Sequence, residues 1–130
     1  MKQNRNKTSQ ASKIRKRLYN APAHKKYKIM SCQLSPELRN KLNTKALSIK
    51  KGDTAQVVGG LYNGVSGQVL SIDRSSFTVK MSRVEFEKSS GQKVGVPIHY
   101  SKLRITKLKQ KDPARDKILA RKNKPAPITT

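Results

Sequence analysis

Residues 49 to 72 read Ile49-Lys50-Lys51-Gly52-Asp53-Thr54-Ala55-Gln56-Val57-Val58-Gly59-Gly60-Leu61-Tyr62-Asn63-Gly64-Val65-Ser66-Gly67-Gln68-Val69-Leu70-Ser71-Ile72. Two short apolar runs, Thr54 to Val58 and Val65 to Ile72, flank a segment punctuated by Gly59, Gly60 and Gly64. This is the pattern of two strands joined where turns or close backbone approaches need no Cβ. Along the second run the apolar phase changes between Val69 and Leu70, as a bulged or strongly bent strand requires. Further on, Phe77 to Met81 and Val84 to Glu87 alternate apolar and polar residues with period two. Asp73-Arg74-Ser75 and Ser89-Ser90-Gly91-Gln92 read as turns, Val94 and Val96 share a face, and Leu103 to Thr106 supplies a last strand. Five or six short strands in about sixty residues predict a mainly β fold, a small and strongly curved barrel. Phe77 and Phe86 are assigned to its core.

Helix signals lie outside this segment. Ser35-Pro36-Glu37 places an N-cap, a proline at the first helical position and an acid near the positive helix end, and Leu34, Leu38 and Leu42 recur every four residues. That helix is expected to run to about Asn43. Asp112-Pro113 starts a second, basic helix through Lys122, and Ala11, Ile14 and Leu18 form a thin apolar stripe within Ser12 to Tyr19.

The chain has 130 residues, with 30 Lys plus Arg against 7 Asp plus Glu and a net charge of +23. By segment the net charge is +10 over residues 1 to 28, +4 over 29 to 51, +4 over 52 to 108 and +5 over 109 to 130. The arms therefore hold most of the charge and the middle is nearly balanced, which predicts a basic N-terminal extension with short helices (1–45), a barrel (46–108) and a basic C-terminal helix and tail (109–130). Arms of this composition bury little and are expected to order against a polyanion. The hydrophobic content, 34%, argues against a large buried active-site cleft. No run approaches the length of a membrane span and no apolar leader follows Met1, so a soluble, intracellular protein is expected. The single cysteine, Cys32, cannot form an internal disulfide and is read as a small buried residue.

Residues 49 to 72 resemble the KOW motif, in which Gly-Asp opens a strand and spaced glycines shape the loop to the next. The segments Asn20-Ala21-Pro22-Ala23-His24, Lys28-Ile29-Met30-Ser31, Leu34-Ser35-Pro36-Glu37-Leu38-Arg39 and Ile98-His99-Tyr100-Ser101-Lys102 are similar, in order, to the large-subunit ribosomal protein family numbered twenty-six in eukaryotes and twenty-four universally. The resemblance spans roughly residues 11 to 122. Asn63 stands where the loop usually carries Lys, Ala55 where Val is common, and Tyr100 where the family has Pro. The resemblance implies an SH3-like barrel that binds large-subunit ribosomal RNA near its 5′ domain and the peptide exit tunnel. It further implies neighbouring ribosomal proteins as partners, a cytoplasmic place in the ribosome with nucleolar assembly in a eukaryote, and neither cofactor nor small-molecule substrate.

Structural RNA-binding proteins read shape, phosphates and 2′-hydroxyls with flexible cations. The candidate cations of the N-terminal arm are Lys13, Arg15, Lys16 and Arg17, then Lys25, Lys26 and Lys28. Arg15 and Arg17 can fork onto phosphate, while the lysines act as point charges. Lys50, Lys51, Lys102 and Arg104 continue the set through the barrel, and Arg115 and Arg121 extend it into the last helix. Tyr19, Tyr27 and Tyr62 lie among basic residues and either stack on unpaired bases or pack. Asn63, His24 and His99 are candidate hydrogen-bonding contacts. Gly52, Gly60, Gly64 and Gly67 are assigned structural roles in turns. The glycine-rich loop lacks the Gly-Lys-Ser/Thr ending of a P-loop and leads into a strand, so it is no nucleotide site. Neither His24 nor His99 has a carboxylate beside it in sequence, which argues against a metal site and gives a ribonuclease acid/base pair no support. The competing binding-module reading, a KOW-type transcription or translation elongation factor, is disfavoured because such factors carry further globular domains.

Overall fold

The computed structural model describes residues 7–123. Four helices and nine strands follow in the order α1 (Ala11–Tyr19), α2 (Ala23–Ile29), β1 (Ser31–Leu34), α3 (Pro36–Leu42), β2 (Ala46–Ser48), β3 (Thr54–Val57), β4 (Ser66–Asp73), β5 (Thr78–Met81), β6 (Glu85–Glu87), β7 (Lys93–Gly95), β8 (Ile98–His99), a short 3-10 turn at Tyr100–Lys102, β9 (Leu103–Lys107) and α4 (Pro113–Lys122). Seven strands form one curved sheet in the order β2-β1-β9-β3-β4-β5-β8, and β6 and β7 pair separately as a two-stranded ribbon. The fold is mainly β, an SH3-like barrel with helical extensions.

Period-two patterning produces the core directly, since alternate residues of a strand face the same side. Ala55 and Val57 of β3, Val79 and Met81 of β5, and Leu103 and Ile105 of β9 are all fully buried, while their in-between neighbours are not. Each large aliphatic side chain so buried contributes about 1.5–3 kcal/mol. The phase change in β4 is a real irregularity: Val69 pairs with Met81 but Ser71 with Lys80, so one residue is inserted and the strand bends there. Leu70 consequently turns outward.

The expected helix at 36–42 forms as its signals dictate. The Ser35 hydroxyl accepts from the Leu38 amide at 3.3 Å, Pro36 opens the helix, and Asn43 closes it in the left-handed conformation at φ 47°. Ser35→Ala is expected to cost about 1 kcal/mol of stability in urea denaturation, the usual loss for a removed N-cap. Helix α4 starts on Asp112 in the same manner, its carboxylate accepting from the Arg115 amide at 3.2 Å.

Two expectations change. Leu34 is not part of a helical stripe; it ends β1 and is completely buried, while Leu38 and Leu42 pack on the core from α3. Phe86 is 61% exposed and not in the core, because the ribbon to which it belongs stands off the main sheet and presents it opposite Val94. The division at residue 45 runs through the sheet. Strand β1 pairs antiparallel with β2 and parallel with β9, and it places Cys32 and Leu34 in the same buried cluster as the barrel strands. Met30, which follows α2, is already in the core.

Candidate nucleic-acid interface

Asp53, the acid of the Gly-Asp pair, has no exposed surface. Its Oδ1 accepts from Arg115 Nη1 and from the Lys109 amide, both at 2.9 Å, and its Oδ2 accepts from Arg115 Nη2 at 2.8 Å and the Lys50 amide at 2.9 Å. Burial pushes this carboxyl upward, but the hydrogen bonds from Arg115, Lys109 and Lys50 outweigh it and hold it below the ordinary carboxylate range. Burial acts against the charge of Arg115 as well, and the bond to Asp53 more than restores it. Arg115 Nη2 also donates to the Ser48 carbonyl at 2.8 Å. One carboxylate thus fixes the turn before β3, the segment after β9 and helix α4 at once.

This arrangement changes the standing of one candidate residue. Arg115 is 3% exposed with both terminal nitrogens bonded inside the protein, which takes it out of the set of cations presented to a partner. Lys50 is half-buried and paired with Asp112 at 2.5 Å. That bond, ahead of the opposing effect of partial burial, holds Asp112 below its ordinary range.

Most of the other candidates are presented outward. On α1, Lys13, Arg15, Lys16, Arg17 and Tyr19 are exposed, and α2 exposes His24, Lys25 and Lys28. Neither helix carries an acid in its first turn, and each has two basic residues in its last, where they complement the helix dipole. Lys26 instead lies over the Phe77 ring, 5.8 Å from its centre. Arg121 is exposed on α4 and Arg104 half-buried on β9.

A second group converges beside the glycine-rich loop. Tyr62, His99 and Lys102 line one cleft of about 150 Å³ together with Gly60. His99 Nδ1 sits 2.7 Å from the Ser101 hydroxyl, and its ring packs 4.5 Å from that of Tyr100. Asn63 is exposed in the loop. The loop's amides are partly committed: Gly64 donates to Val57 O at 2.9 Å and Asn63 to Gly60 O at 3.2 Å. Turn geometry therefore accounts for Gly60 and Gly64, at φ +94° and +87°.

A larger concavity lies elsewhere, a groove of about 610 Å³ between the turn before β3, the β4–β5 turn and the segment linking β9 to α4. Lys50, Lys51, Arg74, Lys109 and Lys111 line it, with Tyr27 in its wall. Arg74, Lys109 and Lys111 carry no local sequence signal that marks them as contacts. Arg74 lies in a turn read only as a turn, and the two lysines follow the last strand in a segment treated as tail. The Arg74 guanidinium lies over the Tyr27 ring at 5.8 Å.

Cys32 is inert where it sits. Burial, with a smaller contribution from the charge of Asp53, pushes its thiol up to about 12, and it donates to the Tyr100 carbonyl at 3.2 Å. Among the described residues, no three His, Cys, Asp or Glu side chains come together in a way that could hold a metal, and no helix is long and apolar enough to cross a membrane.

Comparison with known proteins adds an independent line. A family model described as eukaryotic ribosomal protein L26 and its archaeal counterpart matches residues 8–122. The chain is 46% identical over 116 residues to a large ribosomal subunit protein uL24 from Korarchaeum cryptofilum, covering 89% of this chain and 88% of the relative. It is 44% identical over 125 residues to a large ribosomal subunit protein uL24 from Littorina littorea, covering 95% of this chain and 86% of that one.

Proposed function

This chain belongs to the family of eukaryotic L26 ribosomal proteins and their archaeal counterparts, structural and non-enzymatic constituents of the large subunit, and from that premise we propose that it binds and helps fold large-subunit ribosomal RNA. The proposed location is near the 5′ domain of that RNA and close to the peptide exit tunnel, with neighbouring large-subunit proteins as further contacts and, in a eukaryotic source, assembly in the nucleolus. One observation carries the RNA-binding reading: α1 and α2 present seven exposed Lys, Arg and His side chains without an acid between them. Cations so crowded repel one another in the free protein, and a phosphate backbone relieves that repulsion while releasing counterions. The exposed cations of α1 and α2, the Tyr62–His99–Lys102 cleft and Arg121 are the proposed contacts.

Neutralising about eight to ten phosphates would make the logarithm of affinity for a 5′-domain RNA transcript fall with the logarithm of salt at a slope of about −6 to −9. A filter-binding titration across salt concentrations measures this, and a slope near −2 would contradict the reading. Sedimentation of tagged protein on a sucrose gradient in high salt supplies the cellular counterpart, with retention on the large subunit as the expected result.

A further inference from the structure

We propose that the groove between the turn before β3, the β4–β5 turn and the β9–α4 segment is a built binding site for the phosphodiester backbone of RNA. The inference rests on the RNA-binding reading above and assigns to it a surface that differs from the exposed cations of the N-terminal helices and from the glycine-rich loop, although Tyr27 of α2 stands in its wall.

Three separate loops deliver cations to one concavity. Lys50 and Lys51 come from before β3, Arg74 from the β4–β5 turn, and Lys109 and Lys111 from after β9. The single carboxylate in the lining, Asp112, is already neutralised by Lys50, so four cations remain without an acidic partner there. Like charges gathered this closely disfavour the free state of the groove and favour an anion within it. A solvent-open concavity whose four unpaired cations come from three separate loops suits a polymer of phosphates, whose charges recur along the chain, better than it suits a compact ligand that must be enclosed to be held.

The groove is also stiffened in ways that ordinary surface lysines are not. Both oxygens of Asp53 hold amides of its rim, Lys50 on one side and Lys109 on the other, so the two rims are tied through one buried atom group. Gly52, at φ +94°, leaves open the space where a Cβ would stand 3.1 Å from Lys109 Cδ, and the stem of Lys109 lies across it. Lys111 adopts φ 56°, a left-handed conformation that is unfavourable for a non-glycine residue and that the surrounding structure must impose. Arg74 rests over the Tyr27 ring, which limits its freedom before any ligand arrives. Side chains held in place beforehand lose less entropy on binding.

The test compares two full-length variants of equal charge. One carries Lys51→Gln, Arg74→Gln, Lys109→Gln and Lys111→Asn, the last chosen because Asn tolerates the left-handed backbone. The control carries Lys41→Gln, Lys45→Gln, Lys88→Gln and Lys93→Gln, four exposed lysines outside the groove. Binding of each to a 5′-domain RNA transcript is titrated against salt. The groove variant is expected to lose about 3 from the magnitude of the slope and about 100-fold or more in affinity near physiological salt, and the control less than about 1 from the slope. Equal losses in the two variants, or a groove variant with the wild-type slope, would overturn the groove while leaving the RNA-binding reading intact. A wild-type slope near −2 would remove both. If thermal melts show the quadruple groove variant to be unfolded, Lys51→Gln and Lys109→Gln singly are each expected to reduce the slope by about 1, and no change in either overturns the proposal.

Discussion

Asp53→Asn is expected to lower the stability of the folded chain by about 3–5 kcal/mol, the loss seen when one partner of a buried ion pair is removed and the other charge is left inside. Folded domains carry only about 5–15 kcal/mol in total, so this one atom change removes a large part of it. The guanidinium of Arg115 is the stranded group: it keeps the Ser48 carbonyl and must compete with the Lys50 and Lys109 amides for the single amide oxygen left at position 53. Adding Arg115→Met to Asp53→Asn removes the second charge, and the amide oxygen of the new side chain still accepts one of the two backbone amides that Asp53 holds. The double variant is therefore expected to be more stable than Asp53→Asn alone, and a urea double-mutant cycle reads the difference; a double variant no better than the single would show that the pair is not the source of the loss. The same carboxylate sets an acid limit. Its pKa is depressed in the folded state, so its contribution is fully present above the unfolded value of about 3.9 and disappears as pH falls through the lower folded value. Stability measured between about pH 5 and pH 2 should fall steeply in the wild type and much less in the double variant.

The second large effect is expected from Gly67→Ala, a change that adds one methyl group. A Cβ at this position would collide with the backbone oxygen of Ser82, well inside any approach that real Cβ atoms make, and would stand a tight 3.1 Å from its carbonyl carbon. The obstacle is backbone, so no rotamer change relieves it. The segment just after β5 crosses β4 closely here: Ser82 donates its amide to Gln68 O at 2.9 Å, and its hydroxyl accepts from the Gln68 amide at 2.8 Å. Separating the two strands would break both bonds and loosen Met81 and Val84, each fully buried. The expected cost is about 3 kcal/mol or more, at the upper end of overpacking penalties. Gly59→Ala serves as the comparison, because a Cβ there meets nothing within 4 Å and the backbone does not have positive φ. Equal urea midpoints for the two variants would show that the close crossing is unimportant.

What could be read in advance follows the range over which each signal acts. The caps at Ser35 and Asp112 involve residues three apart, and both helices begin where those residues place them. The bulge in β4 was legible because the apolar phase of a strand records which face is buried. Strand β1 was not, because Leu34 stands four residues before Leu38 and so mimics a helical repeat, while the partner of Leu34 itself, Ile105 of β9, lies at the far end of the chain. Phe86 alternates correctly, yet alternation cannot say whether the sheet it belongs to has a core behind it. The interface divides in the same way. Counting charges finds the outward cations of α1 and α2, but whether Arg115 faces solvent or a carboxylate depends on Asp53, 62 residues away. The groove is the extreme case, since its cations come from three loops that only the sheet brings together.

The parallel pairing of β1 with β9 also sets a timetable for the chain as it is made. The N-terminal helices and β1 are synthesised first, yet until Lys107 has been added β1 has only β2 beside it, and a two-stranded hairpin in water is marginal at best. Cys32, Leu34 and Met30 must remain uncovered through that interval, attached to the most cationic stretch of the sequence. Folding then comes late and at once, since the penultimate element closes what the third began.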